Sequence, residues 1–354
     1  MEEKKTIAIL GITGTQGGSV ARKFLSLSDP PWTVRGITRS LTSPAALSLS
    51  ASGVDLVQAD IDSPSSLIAA FAGAHAIFAV TDFWAPYFSS FGELSQISDR
   101  ATGEHAFAIE VRRGKNIVDA AAAAGGRLER FVWSTLPSFK ELSRGKYGFA
   151  FHFDSKAVVA GYLRGKEGGG LWERSSLLNM GFYTDNMIKY GGFMGAAKVC
   201  FLFFFFLDFW GRKAKGKQDM EDGKYILRKP GKNDAIHPFV VTGDTGEFVE
   251  LLVRAPPKQN LLGVSEMSDY VTYMKIWTEV TGVPSEVREI TVEEADKAAP
   301  GGIGREAAES TATSAEFGWG KDLVMPKDLD PNIKLTSLRS YIENEDWEIF
   351  LSKI

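Results

Sequence analysis

The sequence predicts an α/β protein built on a doubly wound parallel sheet, with a smaller α+β lobe towards its C-terminal end. Short, nearly continuous apolar runs alternate with helix-like segments through the first half of the chain, which is typical of such a sheet. A glycine-rich turn follows the first apolar run and opens a helix-like segment. Beyond residue 181 the alternation loosens, and glycine and aromatic residues dominate, so we expect a different organisation there.

Six apolar runs have the length and composition of buried strands and are expected to form the sheet. They cover residues 6–10, 33–38, 54–58, 74–80, 130–134 and 175–179. A dinucleotide-binding domain is therefore expected over residues 1–165, with its sheet completed by residues 174–180 and 236–265. Residues 181–235 and 266–354 are expected to form the smaller lobe, which would carry the substrate or partner surface.

Helices are predicted between the strands and again in the C-terminal part of the chain. In the first half they cover residues 15–27, 44–51, 65–71, 104–124 and 152–163. Ser63 and Pro64 predict the start of the third helix, and Gly125 predicts the end of the fourth. Later helices are predicted within 237–254 and over 266–281 and 335–342, with loops over 81–103, 300–304 and 325–331.

Composition bounds the class of protein. The chain has 354 residues, of which 44% are apolar and 24% charged, and its net charge is −4. This acidic balance argues against direct nucleic-acid binding, which needs a basic surface. One cysteine, Cys200, and four histidines give no pattern typical of a disulfide or metal site, so no metal is expected. No signal peptide or transmembrane segment is expected, and the predicted compartment is the cytoplasm, with passage into the nucleus left open.

The turn after the first strand has the spacing Gly-x-x-Gly-x-x-Gly, with glycines at Gly11, Gly14 and Gly17. The first glycine permits a tight turn, the second lets the backbone approach a diphosphate, and the third lets the helix pack closely on the sheet. Amides at the helix N-terminus then face the phosphates. The sequence therefore predicts a dinucleotide site, whose loop also contributes Thr13, Thr15 and Gln16.

The residues after the second and third strands bear on the choice between NADP and NAD. Arg39 stands where an NAD-binding site usually has an acidic residue, and it suits a 2′-phosphate, so NADP is favoured over NAD. The alternative for Arg39 is a solvated surface residue. Asp60, after the third strand, either contacts the adenine or caps the next helix.

Several segments together resemble the NmrA-like family of atypical short-chain dehydrogenases. They are GITGTQGGSV at 11–20, VTDFW at 80–84, GKNIVDAAAAAG at 114–125, FVWSTLP at 131–137, HFDSKAVV at 152–159, NMGFYTDN at 179–186, GDTGEFV at 243–249 and EFGWG at 316–320. The resemblance implies a Rossmann domain that binds NADP or NAD against a smaller lobe, with Thr81 near the cofactor. It leaves two activities open, since the family includes oxidoreductases and cofactor-sensing regulators.

A catalytic site would lie near the segment from His152 to Lys156. Short-chain dehydrogenases typically use a Tyr-x-x-x-Lys pair and a serine, whereas here His152 takes the tyrosine position. Residues four apart share a helix face, so both side chains can reach one cleft. Lys156 either holds the ribose or acts as a base, His152 either exchanges protons or positions the cofactor, and Ser134 can bind a substrate carbonyl. Asp154, on the same helix, is expected to be solvated.

Aromatic residues follow the fourth and sixth strands at Phe83, Trp84, Phe182 and Tyr183. They form either ordinary core or the wall of a pocket for a flat, apolar substrate. The apolar run 199–207, with its phenylalanines Phe201–Phe206, is either buried or a lid or membrane-surface contact; it is too short to span a bilayer.

Two functions are therefore set against each other. The first is an NADPH-dependent reductase of a small apolar or aromatic carbonyl or alkene, of the polyketide-like kind that secondary metabolism produces. The second is a non-catalytic NAD(P) sensor that signals to a regulatory protein partner, which the missing tyrosine favours. The sequence is compatible with a monomer or a homodimer.

Overall fold

The computed structural model describes residues 4–28, 31–165, 170–186 and 220–352. Within them a seven-stranded, fully parallel sheet has the order β11-β6-β5-β4-β1-β2-β3. Its strands are β1 Lys5–Leu10, β2 Trp32–Thr38, β3 Asp55–Gln58, β4 Ala76–Ala79, β5 Arg130–Thr135, β6 Ser175–Met180 and β11 Asn260–Gly263. The predicted doubly wound α/β fold is confirmed, and the six predicted strands lie within two residues of their observed bounds.

Helices cover both faces of this sheet, as the alternation predicted. They are α1 Thr15–Ser26, α2 Pro44–Ala51, α3 Pro64–Phe71, α4 Trp84–Leu94, α5 Ala101–Ala123, α6 Phe139–Leu142, α7 Phe151–Arg164 and α8 Thr245–Arg254. Helix α3 begins at Pro64 with Ser63 in the N-cap position, although the Ser63 hydroxyl makes no capping hydrogen bond. Helix α5 ends before Gly125, whose φ of +90° favours glycine.

Two apolar layers form the core, one on each face of the sheet. Alternation along β1 divides its side chains, since Ala8 belongs to one layer and Ile9 to the other. The first layer joins α3, α5 and α7, and the second joins α1 and α8. Helices α5 and α7 approach closely at Gly114, where an added Cβ would lie 2.4 Å from Val159. This contact brings the buried polar residues of the two helices together.

Helix α4 corrects the prediction of a loop over residues 81–103. Its sequence is rich in aromatic residues, which are weak helix formers. Asp82 accepts hydrogen bonds from the backbone N–H groups of Trp84 and Ala85, at 2.9 and 3.3 Å, and so supports the first turn. Tyr87 of α4 and Phe83, which immediately precedes the helix, belong to a buried apolar cluster. Tertiary packing therefore stabilises a helix that local propensity did not indicate.

The C-terminal region adds two three-stranded sheets and more helices. One sheet has the order β12-β10-β7 and the other β13-β9-β8. Their strands are β7 Phe182–Tyr183, β8 Met220–Glu221, β9 Lys224–Pro230, β10 His237–Val240, β12 Glu266–Ser268 and β13 Ser285–Ile290. The helix predicted over 266–281 is thus a short strand followed by a shorter helix. The helices are α9 Tyr270–Thr281, α10 Val292–Ala298, α11 Ile303–Phe317, α12 Pro326–Leu329, α13 Leu338–Asn344 and α14 Glu348–Leu351.

Helix α11 was not predicted, and the loop expected over 300–304 already contains its first residues. Most of its polar side chains are buried, including Glu306, Glu309 and Ser314. These three side chains bond to other segments, whereas Ser310, Thr311 and Thr313 bond to carbonyls of the helix itself. A pattern typical of a solvated surface is therefore an interior polar layer here. Among the described residues, every helix is either too short or too polar to cross a lipid bilayer.

Candidate active site

One cavity of about 820 Å³ opens at the carboxyl ends of the central strands. Residues of the glycine loop, of the ends of β4, β5 and β6, and of helices α7 and α11 all border it. It therefore joins the predicted dinucleotide site to the predicted catalytic segment. All but one of the predicted site residues line it: Gly11, Thr13, Gly14, Thr15, Gln16, Gly17, Arg39, Thr81, Ser134, His152 and Lys156.

The glycine loop has the geometry that a diphosphate requires. Gly11 has a φ of +76°, and its carbonyl accepts a hydrogen bond from Gly14 N at 2.9 Å. A Cβ at Gly17 would lie 2.3 Å from the Gly11 oxygen, so a side chain there would displace the turn. No side chain caps α1, and its helical bonding begins from Gly18 N to Gly14 O at 2.9 Å. The amides of residues 15–17, at the start of α1, therefore remain for an anion at the cavity.

Two arginines line the end of the cavity that follows β2. Arg39 is exposed there, as the sequence suggested. Arg113 of α5 was not predicted, and its Nη2 donates to Asp62 Oδ2 at 2.7 Å. This hydrogen bond lowers the pKa of Asp62 and keeps the carboxylate charged. Asp60, proposed as an adenine contact, is not among the residues that line the cavity, and its Oδ1 accepts from Asp62 N at 2.9 Å within the turn.

A short chain of side-chain hydrogen bonds crosses the middle of the cavity. Ser134 Oγ, at the end of β5, donates to Gln16 Oε1 at 2.7 Å. Gln16 Nε2 donates in turn to the Tyr183 hydroxyl at 2.6 Å. These three side chains come from three separate segments, and they join the start of α1 to the ends of β5 and β7. Ser134 thus lines the cavity at the end of β5, and its hydroxyl is hydrogen-bonded to the glycine loop.

Lys156 lies at the cavity wall and is held by a buried carboxylate. Its Nζ contacts Glu110 Oε1 of α5 and donates to the backbone oxygen and hydroxyl of Thr81, at 3.1 and 3.2 Å. Glu110 is fully buried and also accepts from Ser155 Oγ at 2.5 Å. Because a buried charge needs a partner, Glu110 and Lys156 depend on each other. No sequence pattern indicated Glu110, since α5 has the pattern of an ordinary amphipathic helix.

His152 is held by a second buried carboxylate, which comes from α11. Glu306 Oε1 accepts from the backbone N of His152 at 2.9 Å and contacts its ring Nδ1 at 2.5 Å. Burial raises the pKa of the Glu306 carboxyl, and the hydrogen bond from His152 opposes that rise. His152 and Lys156 therefore share the cavity, as predicted, but each has its own acidic partner.

Asp154 corrects a prediction, because it is buried rather than solvated. Its Oδ1 accepts from Ser138 Oγ and from the backbone N of Lys140, both at 3.1 Å. Burial raises its pKa, and the hydrogen bond from Lys140 N partly offsets the effect. Asp154 thus fixes the turn at α6 against α7 and is absent from the cavity lining.

Aromatic side chains form much of the cavity wall around His152 and the end of β6. Trp84 lies 5.0 Å from the His152 ring, and Phe83 lies 5.8 Å from it, measured between ring centroids. The aromatic lining residues are Phe83, Trp84, Phe88, Phe153, Phe182, Tyr183 and Trp319. Four of them were predicted; Phe88, Phe153 and Trp319 were not. The run Phe201–Phe206 lies outside the described residues.

A second cavity, of about 630 Å³, borders α11 through other residues. Its lining includes Lys146 and Arg305, which pair with Glu316 and Glu309. None of the glycine-loop residues reaches it, so the first cavity is the candidate active site. Among the described residues no group of three or more His, Cys, Asp or Glu side chains is placed to hold a metal ion.

Comparison with known proteins finds a matching family and a relative. The family model described as the NmrA-like family matches residues 3–199, which is more than half of the chain. An NmrA-like family domain-containing oxidoreductase from Aspergillus hancockii is 29% identical over 286 residues, covering 79% of this chain and 72% of that protein.

Two solved structures share the fold. The negative transcriptional regulator NmrA in complex with NADP has a TM-score of 0.63 at 19% identity, covering 97% of this chain and 95% of that one. The triphenylmethane reductase of a Citrobacter species, complexed with NADP(H), has a TM-score of 0.63 at 16% identity, covering 96% and 99%. At this identity the similarity concerns the fold.

Proposed function

The chain belongs to the NmrA-like family, and from that premise we propose that it is an NADP(H)-dependent oxidoreductase that reduces a small apolar or aromatic molecule. One observation carries the proposal. A single cavity contains the glycine loop, the pair His152 and Lys156, and a wall of aromatic rings. A cofactor on the loop and a flat substrate on the wall would therefore meet beside two polar side chains that can handle a proton.

NADP(H) fits the residues at one end of this cavity. The α1 amides would bind the diphosphate, and the space at Gly14 and Gly17 leaves room for close approach. Arg39 and Arg113 would face the 2′-phosphate, which NAD lacks. The similar structures include complexes with NADP and one of NmrA with NAD, so they support a nicotinamide dinucleotide here, and the preference for NADP rests on the two arginines.

The other residues have separable roles in a reduction. When bound, reduced nicotinamide supplies a hydride. Lys156, whose ammonium group is fixed by Glu110 and Thr81, would bind ribose hydroxyls. Ser134 would bind a substrate oxygen by turning from Gln16. The aromatic wall would exclude water from the reacting atoms.

A cofactor-sensing regulator is the second candidate. It is favoured by the absence of a tyrosine four residues before Lys156, where His152 stands instead. The similarity to a negative transcriptional regulator is compatible with it. In that case NADP(H) would bind, and no substrate would be turned over.

Purified protein incubated with NADPH and a panel of aromatic compounds tests the proposal. The panel would hold menadione, 9,10-phenanthrenequinone, malachite green and cinnamaldehyde, and the signal is the loss of reduced nicotinamide absorbance. We expect substrate-dependent oxidation with at least one compound, and at subsaturating NADPH a much slower oxidation with Gly17→Ala, whose displaced loop binds the diphosphate more weakly. NADPH binding without oxidation by any compound would reject the reductase and favour the sensor.

A further inference from the structure

We propose that Glu306 and His152 form a carboxylate–imidazole pair in which Glu306 orients the ring and His152 delivers the proton to the substrate. This inference rests on the proposed reductase function and names the proton donor of that site. Glu306 is a positioning residue, because it acts through His152, and it lies on α11, more than 150 residues further along the chain. It would make the C-terminal region part of the catalytic apparatus.

The contacts fix both the position and the rotation of the imidazole ring. One oxygen of Glu306, Oε1, meets the backbone N of His152 at 2.9 Å and its ring Nδ1 at 2.5 Å. Because the backbone N and the ring Nδ1 of His152 contact the same Glu306 oxygen, the imidazole ring has little freedom to rotate about its side-chain torsions. The other oxygen, Oε2, is buried and has no hydrogen-bond partner among the described residues. The interaction of this carboxylate is therefore directed at His152.

The pairing also decides which ring nitrogen exchanges protons. The Glu306 oxygen already accepts from the backbone N of His152, and as a carboxylate it also accepts from the ring, so the proposed pair has its hydrogen on Nδ1. The Nε2 atom is then the site that binds and releases a proton. The His152 side chain is 16% exposed and lines the cavity, whereas the Glu306 side chain is 1% exposed. Glu306 is therefore on the buried side of the imidazole ring, and we infer that Nε2 is on the side of the ring that faces the cavity.

The other charged groups of α7 do not compete for this role. Asp154 is bonded to Ser138 and Lys140, and Lys156 to Glu110 and Thr81. Lys156 therefore does not act on His152 as the lysine acts on tyrosine in the usual arrangement of short-chain dehydrogenases. In this chain Glu306 is the residue that contacts the proton donor and orients it.

The step balances for a carbonyl substrate. The carbonyl carbon accepts the hydride that reduced nicotinamide supplies, and its oxygen takes the proton from Nε2 of the His152 imidazolium. A C–H and an O–H bond form on the substrate, while the carbonyl π bond, the Nε2–H bond and the C–H bond of reduced nicotinamide that releases the hydride all break, and NADP⁺ remains. His152 is left neutral with its Nδ1–H on Glu306, and water returns the proton to Nε2.

Histidine tautomers give a test that requires no turnover. Nuclear magnetic resonance of protein with isotope-labelled histidine would resolve the four ring systems, and His152→Gln would assign one of them. We expect neutral His152 to carry its hydrogen on Nδ1 in the wild type, and Glu306→Ala to shift the population towards Nε2–H. A wild-type His152 protonated on Nε2 when neutral would overturn the pairing, whatever the protein reduces.

Kinetics with NADPH and 9,10-phenanthrenequinone test the catalytic role. We expect His152→Gln to lower kcat about 100-fold or more and Glu306→Ala to lower it roughly 10- to 100-fold, with the KM for NADPH unchanged. Glu306→Gln keeps the shape and an acceptor oxygen and should recover part of the loss. The double variant of Glu306 and His152 should be no worse than His152→Gln alone.

Glu309→Gln is the matched control. Glu309 is buried one turn further along α11 and accepts from the backbone N of Gly148 and Phe149, at 2.6 and 2.7 Å, without touching His152. If Glu309→Gln lowered kcat as much as the Glu306 variants do, the proposal would be overturned, because the loss would then come from the packing of α11. If the wild type reduces no compound of the panel, the reductase function fails, while the tautomer measurement still decides whether the pair exists.

Discussion

The two ends of the cavity are built in different ways. The diphosphate end, Gly11–Gly17, is one continuous stretch whose function depends on backbone amides and on the absence of side chains. The reacting end consists of side chains from distant segments, chiefly Trp84, His152, Lys156 and Trp319. Two buried carboxylates hold its polar groups. The first end is fixed by local geometry, and the second exists only when the whole fold has formed.

This difference decides how each end responds to substitution. A backbone site tolerates changes that leave the turn intact and fails when a Cβ enters it. A side-chain site with buried charges depends on pairing, so removal of one partner affects stability as well as chemistry. The following predictions separate these behaviours, beginning with the largest expected effect.

Removal of the Lys156 charge should be the most costly change. In Lys156→Met the Glu110 carboxylate stays buried without its ion pair, so we expect the free energy of unfolding to fall by about 3–5 kcal/mol. The additional change Glu110→Gln should restore much of it. Urea denaturation measures both. Lys146→Met removes a cation from an exposed pair with Glu316 and should change stability little, so equal losses would contradict the interdependence.

The hydrogen bonds that hold Trp319 in the cavity wall involve a buried histidine, which should make the free energy of unfolding depend on pH. Trp319 Nε1 donates to Ser314 Oγ at 2.8 Å, and Ser314 contacts Nδ1 of the buried His237 at 2.8 Å. Burial, with a smaller effect of Lys229, lowers the pKa of His237 from 6.5 to about 4. The unfolded chain therefore takes up the proton first, and stability is lost as the pH falls from 6.5 towards 4.

The expected size of this loss is about 3 kcal/mol, from the pKa difference between the folded and unfolded states. His237→Asn keeps a polar atom near the position of Nδ1 and removes the titration. Denaturation at a series of pH values should therefore show a smaller slope in this variant than in the wild type. Identical slopes would mean that His237 is not held neutral by its surroundings.

Gly17→Ala should weaken the diphosphate end without a charge change. The added Cβ would lie 2.3 Å from the Gly11 oxygen, and the displaced turn should cost roughly 1–3 kcal/mol of binding, or about 10- to 100-fold in the Kd for NADPH. Calorimetric titration measures it. Gly161→Ala is the control, because a Cβ there meets no atom within 4 Å. Unchanged binding in Gly17→Ala would place the diphosphate elsewhere.

Arg39→Ala should have the smallest effect and a selective one. Loss of a charged hydrogen bond to the 2′-phosphate should weaken the binding of NADPH by about 1–2 kcal/mol, or roughly tenfold in Kd. The affinity for NADH, which lacks this phosphate, should be nearly unchanged. Arg22→Ala, on the exposed side of α1, is the matched control. A similar loss of affinity for NADPH and NADH would show that Arg39 does not contact the 2′-phosphate.

The fold and the diphosphate end could be predicted because their signals are local. Apolar runs of strand length gave six strands of the central sheet, and the glycine spacing located the turn and the start of α1. The lining also contains Arg39, His152 and Lys156, which the sequence named from their places after a strand or on one helix face.

The partners of these residues could not be predicted, for a physical reason. Glu110, Asp154 and Glu306 carry charges that sequence patterns assign to a solvated surface, and only tertiary contacts show that they are buried. Helices α4 and α11 were missed because packing stabilises an aromatic helix in one case and a polar one in the other. The apolar neighbours spaced along α11, from Ile303 to Ala312, were a signal that could have indicated it.

The structure of a crystal grown with NADPH tests the central claim most directly. We expect the diphosphate on the amides at the start of α1, the 2′-phosphate near Arg39, and the nicotinamide in the space bordered by Ser134, His152 and Lys156. An empty cavity at saturating NADPH, or a nicotinamide that lies outside the aromatic wall, would contradict the account.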